Sequence, residues 1–271
     1  MFFQVDLDTC NSDGLCSHIC PAKLIEMVDN QPSLVHKGEQ ACIRCGHCVA
    51  ICPEEALSLE FLSSEDCLTI DHAGKLERIQ VEQFLRSRRS IRTYRKKPIP
   101  KKLLEHVLQI ASSAPTGSNR QPVKWLVIYE KSDVHHLGSL VVEWMRFVDS
   151  ANPAMSEQYF MKHLVEAWDD GADRICRDAP HLIFAYTEKS VASGATDSHI
   201  ALAYLELALA GFQLGSCWAG YVTMASNLWP ALAEFLGLSH EYQIHGAVML
   251  GYPKFEYKRI PPRKKADIRY R

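Results

Sequence analysis

Residues Arg88 to Arg92 read RRSIR, three guanidinium groups and one hydroxyl within five positions. Outward from it, nine Lys or Arg and no acid lie between Arg86 and Lys102. Such a cluster suits a solvated surface, a nucleic-acid patch or a phosphate clamp, because a planar guanidinium fork matches phosphate oxygens two at a time. The whole chain narrows the choice. Its 271 residues carry a formal net charge of -2, with 47% hydrophobic and 23% charged positions. That composition argues against disorder and against a charge-driven nucleic-acid binder.

Around the basic stretch the hydrophobic pattern alternates between helix and strand. Val81–Arg88 predicts a helix. A second starts at Pro100 and repeats Leu103, Leu104, Val107, Leu108 and Ala111 at helical spacing, ending near Pro115. Short apolar runs at Trp125–Tyr129, His181–Tyr186 and Ala247–Leu250 predict buried strands. Helices are expected around Leu137–Phe147 and Met161–Arg174. The apolar stretch Ile200–Val222 carries Glu206, Gln213 and several glycines, so it reads as a core helix rather than a membrane span. Met1–Asp6 offers no basic segment followed by an apolar one, which predicts a cytoplasmic chain with reduced thiols.

The N-terminal part differs in kind. Residues 1–60 hold nine acids and three bases, and seven of the ten cysteines lie within the first 52 residues. A short helical piece is expected near Lys23–Val28. The segment is too small for a self-sufficient core, and a chain of that size usually depends on disulfides or metal. Cys42, Cys45, Cys48 and Cys52, followed by Pro53, match the C-x2-C-x2-C-x3-C-P run of bacterial two-cluster ferredoxins. Cys10, Asp13, Cys16 and Cys20, followed by Pro21, repeat that spacing with an aspartate at the second position. Structural zinc is the alternative, although it has no use for the paired C-x3-C-P endings. Cys67, Cys176 and Cys217 fall outside the pattern and read as buried thiols.

The first stretch resembles ferredoxin variants in which a carboxylate replaces a cysteine. By that resemblance Cys20, Cys42, Cys45 and Cys48 would hold a 4Fe-4S cluster. Cys10, Cys16 and Cys52, with Asp13 as a fourth ligand, would hold a second cluster of 4Fe-4S or 3Fe-4S type. Further along, Ala114–Pro122 reads APTGSNRQP, Gly215–Gly220 reads GSCWAG, and GYP with PPRKK occurs near the C-terminus. With RRSIR, these motifs resemble the FMN-dependent nitroreductase family over residues 82–271, and the whole chain is similar to its ferredoxin-fused members.

The resemblance implies a ferredoxin-like domain over residues 1–76 and an FMN-binding α+β domain with a mixed central sheet over residues 77–271, assembled as a homodimer. Arg88, Arg89, Ser90 and Arg92 would hold the FMN phosphate and ribityl chain, and Arg263 would approach the same phosphate. Thr116, Asn119 and Gln121 match the polar flavin-contacting loop. The Ala219, Gly220 and Tyr221 backbone matches the segment facing the ring. Trp218 reads as a core aromatic.

The expected function is an oxidoreductase passing electrons between clusters and FMN to a small acceptor such as a nitroaromatic, a quinone or an activated double bond. A module serving a partner protein and a redox sensor are the other readings. No Ser/His/Asp or Cys/His set is present and none is needed, because the flavin carries the chemistry. No G-x-G-x-x-G occurs, so a separate Rossmann site for NAD(P)H is not expected; the candidate donor is a ferredoxin or NAD(P)H. Neither nucleic acid nor membrane is an expected partner.

Overall fold

The computed structural model describes residues 1–271 and divides them into two compact units, Met1–Leu76 with Ser118–Arg120, and Glu77–Gly117 with Gln121–Arg271. In the first unit the elements are β1 (Phe3–Val5), α1 (Leu15–Ile19), β2 (Ile25–Val28), β3 (Gln31–Leu34), α2 (Gly38–Ala41), α3 (His47–Ala50) and β4 (Leu57–Leu59). β1 pairs antiparallel with β4, Phe3 opposite Leu59. β2 and β3 form a hairpin with Val28 opposite Gln31.

The hairpin replaces the helical piece expected near Lys23–Val28. Its two turn residues, Asp29 and Asn30, both adopt left-handed backbone, with φ of 50° and 64°. A two-residue loop with both residues at positive φ matches the twist of antiparallel strands. Both short helices begin at a left-handed glycine, Gly14 (φ 70°) for α1 and Gly46 (φ 73°) for α3. Phe2, Cys16, Ile25, Val49, Leu57 and Leu59 form the unit's small core.

The second unit contains α4 (Arg78–Ser87), α5 (Lys101–Ala111), β5 (Lys124–Ile128), α6 (Lys131–Ala151), α7 (Pro153–Gln158), α8 (Met161–Asp169), β6 (His181–Glu188), α9 (Gly194–Gly211), β7 (Gly215–Trp218), α10 (Gly220–Leu228), α11 (Pro230–Leu236) and β8 (Tyr242–Gly251). The strands form one sheet in the order β5-β6-β8-β7. Every neighbouring pair is antiparallel, so the parallel neighbour that a mixed sheet requires is not among these four strands.

β6 and β8 are buried on both faces, which is why their sequences read as continuous apolar runs. Alternate residues point to opposite faces. Leu182, Phe184, Ala247 and Met249 pack with Leu137 and Met145 of α6. Ile183, Ala185, Val248 and Leu250 pack with Val107 of α5 and with Leu202, Leu205 and Leu209 of α9. No helix is long and apolar enough to cross a membrane.

Candidate functional site

RRSIR follows α4 as extended chain fastened to the short strand β7. The Ile91 N–H donates to the Ser216 carbonyl at 2.8 Å. Gly215 permits this approach, since a Cβ there would stand 2.3 Å from Ile91 Cγ1. Tyr94 fixes the segment's far end by donating its hydroxyl to the Ile91 carbonyl at 2.6 Å. Burial pushes the Tyr94 phenol well up, reinforced by Cys217 and opposed by the guanidiniums of Arg177 and Arg92.

Glu206, on α9, joins the motif to the end of β7. Its carboxylate pairs with Arg88 Nη1 at 3.5 Å and accepts from Ser216 Oγ at 3.2 Å and from Trp218 Nε1 at 2.9 Å. Trp218 is therefore not a core aromatic: it is 38% exposed and its indole N–H is held by Glu206. Arg89 turns one guanidinium nitrogen to the Arg86 carbonyl, while its buried Nε has no hydrogen-bond partner. A buried donor without an acceptor is costly, and an anion seated there would satisfy it.

Arg92 stands at an open cavity of about 320 Å³ whose lining also includes Arg174, Arg177, Trp218, Gly220 and Tyr221. The β7–α10 junction forms one wall. Ala219 donates its N–H to Ala247 at 2.8 Å and its carbonyl accepts from Thr223 N at 2.9 Å. The first-turn N–H groups of α10 have no acceptor within the helix and carry the positive end of its dipole. A Cβ at Gly220 would meet nothing within 4 Å, so the backbone there stands open.

Thr116 and Gln121 line a second cavity of about 230 Å³, beside Trp125. Thr116 Oγ1 accepts from Gln121 N at 3.0 Å, closing the loop between them. Gly117 N donates to buried Asp197 at 3.0 Å, which anchors the loop's start. Asn119 belongs to the first unit, where its Nδ2 donates to the carbonyls of Ile43 (3.3 Å) and Arg44 (3.0 Å). Arg263 lies in the exposed C-terminal segment beyond β8 and is not gathered with the other candidates. Arg174 and Arg177 are the site residues that the sequence did not reveal; they sit in irregular chain between α8 and β6, because α8 ends at Asp169, short of the Arg174 end expected for that helix.

The iron-sulfur expectation is corrected. Nowhere do three or more His, Cys, Asp or Glu side chains come together so as to hold a metal ion. Cys20, Cys42, Cys45 and Cys48 instead border one small pocket, and Cys10, Asp13, Cys16 and Cys52 another. Asp13 uses its carboxylate to accept from Leu15 N at 2.9 Å, closing the turn into α1. Burial raises the Cys16 thiol and pushes Cys48 up to about 11. The two clusters, these eight ligand roles, the ferredoxin-like iron-sulfur domain and the relay from clusters to FMN therefore do not stand.

This chain belongs to the nitroreductase family, whose model matches residues 85–252, more than half of its length. Residues 3–53 match a model described as a 4Fe-4S dicluster domain. A NADH dehydrogenase of Thermus thermophilus is 32% identical over 182 residues, covering 62% of this chain and 84% of that protein. An iodotyrosine deiodinase of Thermotoga neapolitana is 23% identical over 190 residues, covering 68% and 94%. Among solved structures, a nitroreductase with bound FMN from Bacteroides fragilis aligns with a TM-score of 0.57 at 20% identity, over 70% of this chain and 99% of that one. An iodotyrosine deiodinase bound to FMN and 3-iodo-L-tyrosine aligns with a TM-score of 0.52 at 23% identity, over 70% and 98%. The structural likenesses show the α+β fold.

Proposed function

We propose that this protein is an FMN-dependent oxidoreductase of the nitroreductase type, reducing a small acceptor at the expense of a reduced nicotinamide. The observation that carries the reading is the buried, unpartnered Arg89 Nε, in the same five-residue segment that sets Arg92 at the cavity by the first turn of α10. The FMN bound to solved relatives and the name of the Thermus relative support it.

Arg88, Arg89, Ser90 and Arg92 would hold the phosphate and ribityl chain, with Arg263 as a further phosphate contact. Thr116, Asn119 and Gln121 would form the polar loop, and the Ala219–Tyr221 backbone would face the ring. Bound FMN supplies two-electron chemistry between a nicotinamide and an acceptor. For a nitro compound the sum is R–NO2 + NAD(P)H + H+ → R–NO + NAD(P)+ + H2O. The chain's own contribution is electrostatic: the first-turn N–H groups of α10 and the Arg92 guanidinium favour negative charge in the cavity. Arg92 and the Ala219–Tyr221 segment line one cavity, Thr116 and Gln121 another, and Arg263 lies in the tail, a scatter that supports completion by a second copy of the chain.

The test is flavin content. The parent chain should purify with about one FMN, and R88A/R92A should lose it while keeping its circular dichroism. A folded double variant with full flavin would refute the assignment.

A further inference from the structure

We propose that Arg174 and Arg177 form an anion-recognising subsite that selects aromatic acceptors bearing a carboxylate. This deepens the flavin-enzyme reading and rests on it for the reduction of the acceptor, but not for its binding.

Both side chains line the cavity shared with Arg92, Trp218 and Tyr221. Neither forms an ion pair, although acids flank them in sequence. The reason is visible. Asp173 directs its carboxylate into its own loop, accepting from Ile175 N at 2.9 Å, Cys176 N at 2.7 Å and Asp178 N at 2.9 Å. Asp178 pairs with Lys131 at 3.1 Å. The two carboxylates nearest in sequence are thus engaged elsewhere, and the two guanidiniums keep their donors and their charge for something else.

The loop is built to hold them in place. Ile175 and Cys176, between the two arginines, are buried, so the arginines are carried on an anchored core pair. Arg177 and Asp178 both adopt left-handed backbone, with φ of 57° and 53°. Non-glycine residues take that conformation at a cost, and it persists where surrounding bonds impose it, as the Asp173 carboxylate does here. In the same cavity, Tyr221 donates its hydroxyl to the Tyr159 carbonyl at 3.0 Å, which holds one aromatic side chain of the lining. Two cations carried on an anchored loop, in one cavity with aromatic residues, fit a planar ligand with one anionic end: guanidinium forks pair with carboxylate oxygens, and the rings receive the body.

The experiment compares 4-nitrobenzoate with its neutral isostere 4-nitrobenzamide, on the full chain as purified and on R174A, R177A and the double variant. Calorimetric titration reads binding, steady-state kinetics reads the KM of each acceptor and of NADH, and flavin absorbance reads FMN content. We expect the parent to bind the acid more tightly, and the double variant to raise the acid-to-amide ratio of Kd and of KM by about tenfold or more, with FMN retained. Equal binding of acid and amide by the parent overturns the proposal. So does loss of FMN in the variants, which would make these arginines flavin contacts, or a rise confined to the KM of NADH, which would make them donor contacts. A parent that binds no FMN but still prefers the acid would refute the flavin reading and leave the anion subsite standing.

Discussion

His181 shows how a single buried side chain joins local sequence to the fold. It opens β6, and its Nδ1 lies 2.7 Å from the Tyr129 carbonyl while its Nε2 accepts from the Ile99 N–H at 2.8 Å. Only the neutral ring with its proton on Nδ1 satisfies both partners. Burial accordingly lowers its pKa, with the Tyr129 carbonyl and Glu130 opposing. The unfolded chain then binds more protons than the folded one in the window between the lowered value and about 6.5. Stability should be fully present above that window and fall as the pH drops through it. Urea unfolding between pH 7.5 and 5 checks this, and His181→Gln should flatten the dependence; an equally steep variant would count against His181 as its source. At this scale the RRSIR arginines were legible because charge clusters survive without context. The Asn119 amide was not: its position beside Gly117 says turn, and which carbonyls it finds depends on residues 75 and 76 positions away.

Long elements were legible where periodicity is continuous. α5 begins one residue after Pro100; the run for β5 is offset from its strand by one residue, that for β6 falls two residues short of the strand's end, and that for β8 covers four of the strand's ten residues. β7 escaped notice because its four residues, Gly215 to Trp218, include a glycine and a serine and offer no strand signal. Their role comes from what lies against them. Gly215→Val would drive a side chain into Ile91 and displace the RRSIR segment from Ser216. The expected loss is about 1–3 kcal/mol by the usual cost of overpacking, read as a lowered urea midpoint, together with reduced flavin content. A variant that matches the parent in both would show that the close approach is dispensable. The hairpin β2/β3 was missed for a related reason: Asp29-Asn30 lacks the glycine that normally announces a two-residue turn, yet both residues tolerate left-handed backbone.

For the whole chain, the contrast between an acidic, cysteine-rich beginning and the remainder was legible from composition, because seven of the ten cysteines and only three of the thirty Lys and Arg lie in the first 60 residues. What the spacing of cysteines could not show is how their sulfurs stand in space. A motif fixes which residues lie near one another along the chain, while the fold decides what their side chains meet, as where Asp13 closes the turn into α1. Assembly is likewise a property no single element displays. If the scattered flavin candidates are completed by a second copy, light scattering should give twice the 30.6 kDa of the chain, and a monomer retaining full flavin would contradict it.

The two cysteine stretches carry one further implication. Cys10, Asp13, Gly14, Cys16, Cys20 and Pro21 recur thirty-two positions later as Cys42, Cys45, Gly46, Cys48, Cys52 and Pro53. Both copies turn through a left-handed glycine into a short helix. That correspondence makes the two stretches an internal repeat whose second position is a carboxylate in one copy and a thiol in the other. Each half therefore serves as an internal control for the other. A substitution made in one copy can be repeated at its counterpart, so that effects of local backbone geometry separate from effects peculiar to Asp13.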